Sequence, residues 1–182
     1  MRVIKTELDG VVIIEPRVFE DSRGSLFESY QAERYAAAGL PERFVQDNQS
    51  HSIVGTIRGL HYQLRHPQAK LVRVIRGSVI DVAVDIRRGS PTFRHWVAVE
   101  LSAANQRQLF IPEGFAHGFC VPLEPSDVEY KCSAYYVPDD QHGIIWNDSS
   151  LAISWAIAEP HLSEKDRLYQ PLTDDRTDLP TF

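Results

Sequence analysis

The chain has 182 residues, the length of one ordinary domain, and its 43% apolar content is enough for a packed core and excludes a disordered or collagen-like polymer. Nineteen Lys plus Arg against 25 Asp plus Glu leave a net charge of −6, so the chain as a whole is a poor binder of nucleic acid or anionic membrane, and any basic residues that converge form a local anion site on an acidic body. Two cysteines, Cys120 and Cys132, exclude a disulfide scaffold, and no CxxC pair suggests zinc. With no signal-like stretch over Met1–Leu8 and no run of ~20 apolar residues, the expectation is a cytoplasmic protein without a membrane span.

In chain order, Val11–Glu15 is a short β-branched run that predicts a first strand. Gln31–Ala38 is Ala-rich and stops at Gly39 with Pro41 beyond, which predicts a helix. Lys70–Arg76, Ser78–Arg87, Trp96–Leu101, Gln108–Pro112, Val128–Val137 and Leu151–Ala158 predict further strands between Gly, Pro, Asn and Asp breaks. Ser163–Leu168 opens Ser-Glu-Lys-Asp, a short capped turn, and residues 173–182 are polar and Pro-containing, which predicts a loose tail. No repeat or linker divides the chain, so residues 1–182 are expected to form a single all-β domain, an antiparallel sandwich or barrel with few helices.

Alternation along Ser78–Arg87 puts Ile80, Val82, Val84 and Ile86 on one face and Val79, Asp81, Ala83 and Asp85 on the other. The two carboxylates are either solvated or line a cavity with partners of their own. Along Val128–Val137 the same period places Tyr130 and Tyr136 on one face, roughly 20 Å apart at about 3.3 Å per residue, a span suited to an elongated ligand. Arg58 and His61 flank Gly59; a regular strand sends them to opposite faces, whereas a bulge at Gly59 brings an anion-holding arginine beside a base.

Pro112-Glu113-Gly114-Phe115-Ala116-His117 resembles the second motif of the cupin superfamily of small β-barrels. The superfamily's usual metal-binding His-x-His is absent, since His51, His61 and His66 are not at that spacing. A metal-dependent cupin oxygenase is therefore disfavoured. No phosphate-binding Gly-rich loop, nucleophile elbow or His-Glu-x-x-His is present, and Cys120 in its apolar run reads as inert core.

Taken together, Phe19–Gly24, Phe27–Tyr30, Phe44–Asn48, Arg58–Gln63, Lys70–Arg73, Asp81–Asp85, Ser90–Phe93, Ile111–Phe119, Tyr130–Cys132, Tyr135-Tyr136, Trp146–Asp148 and Leu162–Asp166 resemble, in order, the dTDP-4-dehydrorhamnose 3,5-epimerase family. The resemblance implies a cupin-like jelly-roll β-barrel acting as a homodimer without metal or organic cofactor. It also implies inversion of C3 and C5 of dTDP-4-dehydro-6-deoxy-D-glucose. Carried over by motif, His61 is the proton-abstracting base, Tyr130 the proton donor, Asp166 the partner of His61, and Lys70 a cation beside the substrate. Arg23, Glu28, Gln46, Asp47, Asn48, Arg58, His117 and Lys165 are implied to bind the nucleotide sugar, and Tyr136 to stack on thymine. Gln141 stands at about the place where many members carry a nucleotide-contacting Glu. A single-centre epimerase, a related 4-keto sugar isomerase, and a jelly roll that binds sugar nucleotides without chemistry are the competing readings.

Overall fold

The computed structural model describes residues 1–41 and 43–182. Two antiparallel sheets face each other. One has six strands in the order β1 (Arg2–Lys5), β2 (Val12–Glu15), β10 (Gln108–Ile111), β7 (Lys70–Arg76), β12 (Ser126–Cys132) and β5 (Gln46–Ser52). The other has five, in the order β13 (Gln141–Gly143), β6 (Ile57–Gln63), β11 (Phe115–Cys120), β8 (Ser78–Asp85) and β9 (Trp96–Ser102). The described residues also form a separate hairpin, β3 (Val18–Asp21) with β4 (Gly24–Phe27), two five-residue helices, α1 (Ala32–Ala36) and α2 (Glu164–Leu168), and a 3-10 turn at Pro138–Asp140. The expected cupin-like jelly roll is thus realised as two packed sheets rather than a continuously hydrogen-bonded barrel.

Apolar side chains occupy three layers. Between the sheets, Val72, Val74, Leu109, Ile111 and Val128 of one meet Val79, Ala83, Val99, Leu101, Phe115 and Phe119 of the other. The outer face of the five-stranded sheet, carrying Ile57, Leu60, Val82, Val84, Ala116 and Cys120, is covered by Ile144, Leu151, Trp155, Leu172 and Leu179 from the C-terminal third. The outer face of the six-stranded sheet buries Ile14, Leu71 and Phe110 under Tyr35 of α1 and Leu40. Strand β8 is therefore buried on both faces. Its apolar face lies under the C-terminal segment, and its mixed face turns Asp81 and Asp85 into the sandwich, where both are 0% exposed. Of the two readings of that carboxylate face, solvated or cavity-lining, the buried one holds. Asp85 is satisfied by Arg87, Ser90 and Thr92, and Asp81 by His117.

Three expectations are corrected. Residues 151–158 are not a strand: Ala152 and Ala156 take positive φ of 49° and 55°, which breaks the extended path, and Leu151 and Trp155 serve as core plugs instead. Strand β12 stops at Cys132, so Tyr130 and Tyr136 do not share a strand face. Residues 173–182 are not loose. The Arg88 N–H donates to the Pro180 carbonyl and the Phe182 N–H to the Arg88 carbonyl around a bridge between Arg88 and Thr181, Leu179 is buried, and Arg176 donates to the Tyr62 hydroxyl, the Gly143 carbonyl and Asp178. The predicted helix at Gln31–Ala38 forms over a shorter span, with the Gln31 side chain accepting from the Arg34 amide.

Candidate active site

The site lies inside one end of the sandwich, and alternation on four strands decides what enters it. On β6, Ile57, Leu60 and Tyr62 join the outer core, so a regular strand allows Arg58 or His61 inward but not both. The register resolves this. His117 of β11 faces His61 and Phe119 faces Arg58, so two steps on β11 match three on β6, a bulge at Gly59. Gly59 has φ +120°, and a Cβ there would sit 2.6 Å from the Gly118 Cα, so a side chain is excluded both by conformation and by the close approach of the two strands. The bulge that the sequence left as one of two possibilities is what brings Arg58 and His61 into one cavity.

That cavity is about 400 Å³, and its walls include Arg58, His61, Lys70, His117, Tyr130 and Asp166. Gln46 and Asn48 of β5, Gln141 of β13, Lys165 of α2 and the loop residue Tyr136 also line it. Asp47, between Gln46 and Asn48, is turned to the other face of β5 and pairs with Lys131 at 2.8 Å. Three consecutive strand residues cannot all line one pocket, and the sequence reading of Gln46-Asp47-Asn48 as a block of ligands is corrected at Asp47. Arg23 and Glu28 are also outside the cavity of their own chain: Arg23 pairs with Asp21 at 2.6 Å at the exposed hairpin turn, and Glu28 pairs with Arg34.

His61 Nε2 lies 2.6 Å from Asp166 Oδ1. Asp166 is 3% exposed and is placed by α2, where the Ser163 hydroxyl accepts from the Asp166 amide as an N-cap. Burial pushes the Asp166 carboxyl up, but the hydrogen bond and charge of His61, the Gly59 N–H and Ser163 outweigh it and hold it below the ordinary carboxylate range. An ionised Asp166 fixes His61 with Nε2 as the proton-bearing nitrogen and leaves Nδ1 for chemistry.

A second imidazole–carboxylate pair stands opposite: His117 Nε2 is 3.0 Å from both oxygens of Asp81. Burial lowers the His117 pKa, Asp81 opposes, and the nearby Lys70 and His61 push it further down. Sequence alternation pointed to Asp81 as a carboxylate needing a partner but not to His117 as that partner, because the pairing crosses from β8 to β11.

Lys70, on β7, has its Nζ 6.0 Å from the centroid of the Tyr130 ring and no hydrogen bond or ion pair among the described residues. Burial lowers its pKa, with Cys132 and Asp81 pulling the other way. Burial raises the Tyr130 phenol, reinforced by Cys132 and opposed by Arg58. Arg58 is itself anchored, its Nε donating to Ser52 Oγ at 3.0 Å and its Nη2 to the His51 carbonyl at 3.1 Å. Tyr136 is set by its amide donating to Gln46 Oε1 at 2.8 Å, and its hydroxyl donates to Gln141 Oε1 at 2.6 Å. The residues missed by the sequence reading are Gln63, which receives the Val137 amide and donates to the Tyr135 carbonyl, and Tyr169, whose ring meets His61 edge-on. Gln63 closes the Arg58–Gln63 block but has no implied role there, and Tyr169 lies outside every motif. Among the described residues no group of three or more His, Cys, Asp or Glu is placed to hold a metal ion.

The chemistry available is therefore an oriented imidazole, a phenol with a lysine ammonium near its ring, and an exposed arginine, all lining one cavity. Comparison with known proteins gives the same direction. The family model described as dTDP-4-dehydrorhamnose 3,5-epimerase matches residues 5–174. The dTDP-4-dehydrorhamnose 3,5-epimerase of Shigella flexneri is 51% identical over 176 residues, covering 96% of this chain and 97% of the relative. A crystal structure of dTDP-6-deoxy-D-glucose-3,5-epimerase from Legionella pneumophila, in complex with dTDP-4-keto-L-rhamnose, superposes with a TM-score of 0.96 at 48% identity over 100% of this chain and 98% of that one. A 3′-monoepimerase from Streptomyces bikiniensis, in complex with dTDP-quinovose, superposes at 0.90 with 34% identity over 97% of this chain and 91% of that one. With the family model matching residues 5–174 and a half-identical relative covering 96% of it, the chain belongs to the dTDP-4-dehydrorhamnose 3,5-epimerase family.

Proposed function

We propose that this chain is an enzyme that inverts C3 and C5 of dTDP-4-dehydro-6-deoxy-D-glucose, giving dTDP-4-dehydro-L-rhamnose for dTDP-L-rhamnose biosynthesis. The observation that carries the reading is the Asp166-oriented His61 in one cavity with Lys70 and Tyr130. C3 and C5 both flank the C4 ketone, so their protons are acidified, and removing one leaves an enolate with charge on the C4 oxygen. His61 takes the proton, Lys70 meets the developing oxyanion, and Tyr130 delivers a proton to the opposite face. Asp166 holds the tautomer and stabilises the imidazolium that forms. Arg58 and Lys165 take the pyrophosphate, Tyr136 stacks on thymine, and Gln46, Asn48 and His117 contact the nucleotide sugar.

The proposed homodimer gives Arg23 and Glu28 their role. The β3–β4 hairpin exposes Phe19 and Leu26, at 54% and 74%, more than a water-facing hairpin needs. A partner covering it brings Arg23 and Glu28 to that partner's cavity. Two unpaired cysteines fit a cytoplasmic setting, and among the described residues no helix is long and apolar enough to cross a membrane.

The test is NMR of the dTDP-4-keto sugar incubated with the protein in deuterated water. Deuterium and inversion at both C3 and C5 are expected. Label and inversion at one centre make it a single-centre epimerase, the reading kept alive by the likeness to a 3′-monoepimerase; no label makes it a binding protein. Nothing in the steps above draws on a metal or an organic cofactor, so activity is expected to be unchanged after dialysis against EDTA. Loss on dialysis with recovery on adding one metal overturns that. Because Arg58 is exposed at the mouth, Arg58→Ala is expected to lower kcat/KM by roughly 10–30-fold, about 1–2 kcal/mol, mainly through KM. Unchanged steady-state kinetics would remove Arg58 from the pyrophosphate site.

A further inference from the structure

Strand β13 pairs with β6 so that Gln141 lies opposite Gln63 and Gly143 opposite His61. The ring of Tyr169 sits on Gly143: a Cβ at position 143 would overlap three of its ring carbons. Glycine there opens a slot beside His61, and Tyr169 fills it, its ring 5.8 Å from the imidazole at 68°. Tyr169 follows α2 directly, so the element that sends Asp166 to His61 Nε2 sends this ring to the same imidazole three residues later. The Tyr169 hydroxyl is fixed in turn. Gln141 Nε2 donates to it at 3.2 Å, while Gln141 Oε1 accepts from the Tyr136 hydroxyl at 2.6 Å. The amide donates to one phenol and accepts from the other with the same side chain. A carboxylate at position 141 accepts only and adds a negative charge near Asp166.

We propose that Tyr169 is a positioning residue for His61, and that Gln141 locks it to Tyr136, so that the wall of the nucleotide end and the base at the sugar end are held by one amide. The proposal rests on His61 being the base. Asp166 fixes one ring nitrogen but leaves the imidazole free to tilt about that bond; an aromatic ring packed against it removes the tilt and shields the charged pair from water. Burial, then the Asp166 charge, push the Tyr169 phenol up to about 12, so it stays protonated at neutral pH and adds no charge beside the pair.

Tyr169→Leu, which refills the slot without a ring, and Tyr169→Phe, which keeps the ring, separate this role from simple packing. In Tyr169→Leu, kcat is expected to fall by about 10-fold and its pH profile to shift, since the base is displaced, and KM to rise a few-fold because the hydroxyl that holds Gln141 is lost as well. Tyr169→Phe is expected to keep kcat and to raise KM a few-fold, as Gln141 and Tyr136 loosen. A readout that needs no turnover is the downfield N–H resonance of His61 hydrogen-bonded to Asp166. It is expected in wild type and Tyr169→Phe and broadened by exchange in Tyr169→Leu. If Tyr169→Leu keeps both the resonance and the wild-type kcat, or if Phe and Leu lose kcat equally, Tyr169 does not position the base. If the wild-type protein inverts neither centre, the functional reading fails instead, and the resonance still decides the role of Tyr169.

Discussion

His61→Ala is expected to lose inversion and solvent-deuterium exchange together, by at least ~10²-fold, because both begin with removal of a proton next to the C4 ketone. The expectation comes from how His61 is held. Asp166 is buried, kept ionised, and 2.6 Å from Nε2, so the bond orients the ring and leaves Nδ1 as the nitrogen for accepting the substrate proton. Once the proton arrives, the imidazolium is formed against a carboxylate already in place, with no charge left uncompensated. The other imidazole does not replace it. His117 lies deeper, 6% exposed, tied to both oxygens of Asp81, with burial, and then Lys70 and His61, pushing its pKa down. The measurement is a time course of label and product for both proteins under one set of conditions. Should His61→Ala keep exchange while losing inversion, His61 is the donor and the base must be sought across the ring, at Tyr130.

How far the sequence reaches depends on the length scale of each feature. β7 was legible to the residue, Lys70–Arg76, because it is a β-branched run with sharp ends. The α2 cap was legible too, since the Ser163 side chain accepts from an amide only three residues away. β5 was missed: Gln46–Ser52 has no apolar alternation, because its inward face lines a polar cavity and its outward face meets solvent. The false strand at residues 151–158 fails for the opposite reason. Its apolar residues are core plugs spaced by left-handed turns, and composition cannot tell a plug from a strand. The site divides the same way. Family motifs pointed to His61, Lys70, Tyr130 and Asp166 in one cavity, and they line it. The motif block at Gln46–Asn48 does not survive strand alternation, which sends Asp47 to Lys131. The pairing of Asp81 with His117, and of Tyr169 with Gly143, was invisible because each is a contact between strands or segments far apart in the chain, although Asp81 and His117 each stand out in the sequence.

Tyr130→Phe separates the two halves of the reaction, because it deletes one hydroxyl and leaves the ring. The ring packs against the inter-sheet core, and its face is 6.0 Å from the Lys70 ammonium, so packing and the cation's seat are both retained. Proton removal by His61 is therefore expected to continue. Inversion is not, since the proton for the opposite face came from the phenol. Burial raises the Tyr130 pKa, which keeps the proton on at neutral pH, and an enolate is basic enough to take it. The phenolate left behind is steadied by Arg58, whose charge already acts to lower that pKa, until solvent returns the proton. His61 can return a proton only to the face from which it took one. The variant is thus expected to wash deuterium into unchanged substrate at a rate within about 10-fold of wild type, while epimer formation falls by ~10²-fold or more. The ratio of label to product is the quantity to follow, because a general loss of folding or affinity lowers both and leaves the ratio fixed. Inversion of both centres at the wild-type rate would assign the donor to a water or another side chain and leave Tyr130 as packing over Lys70.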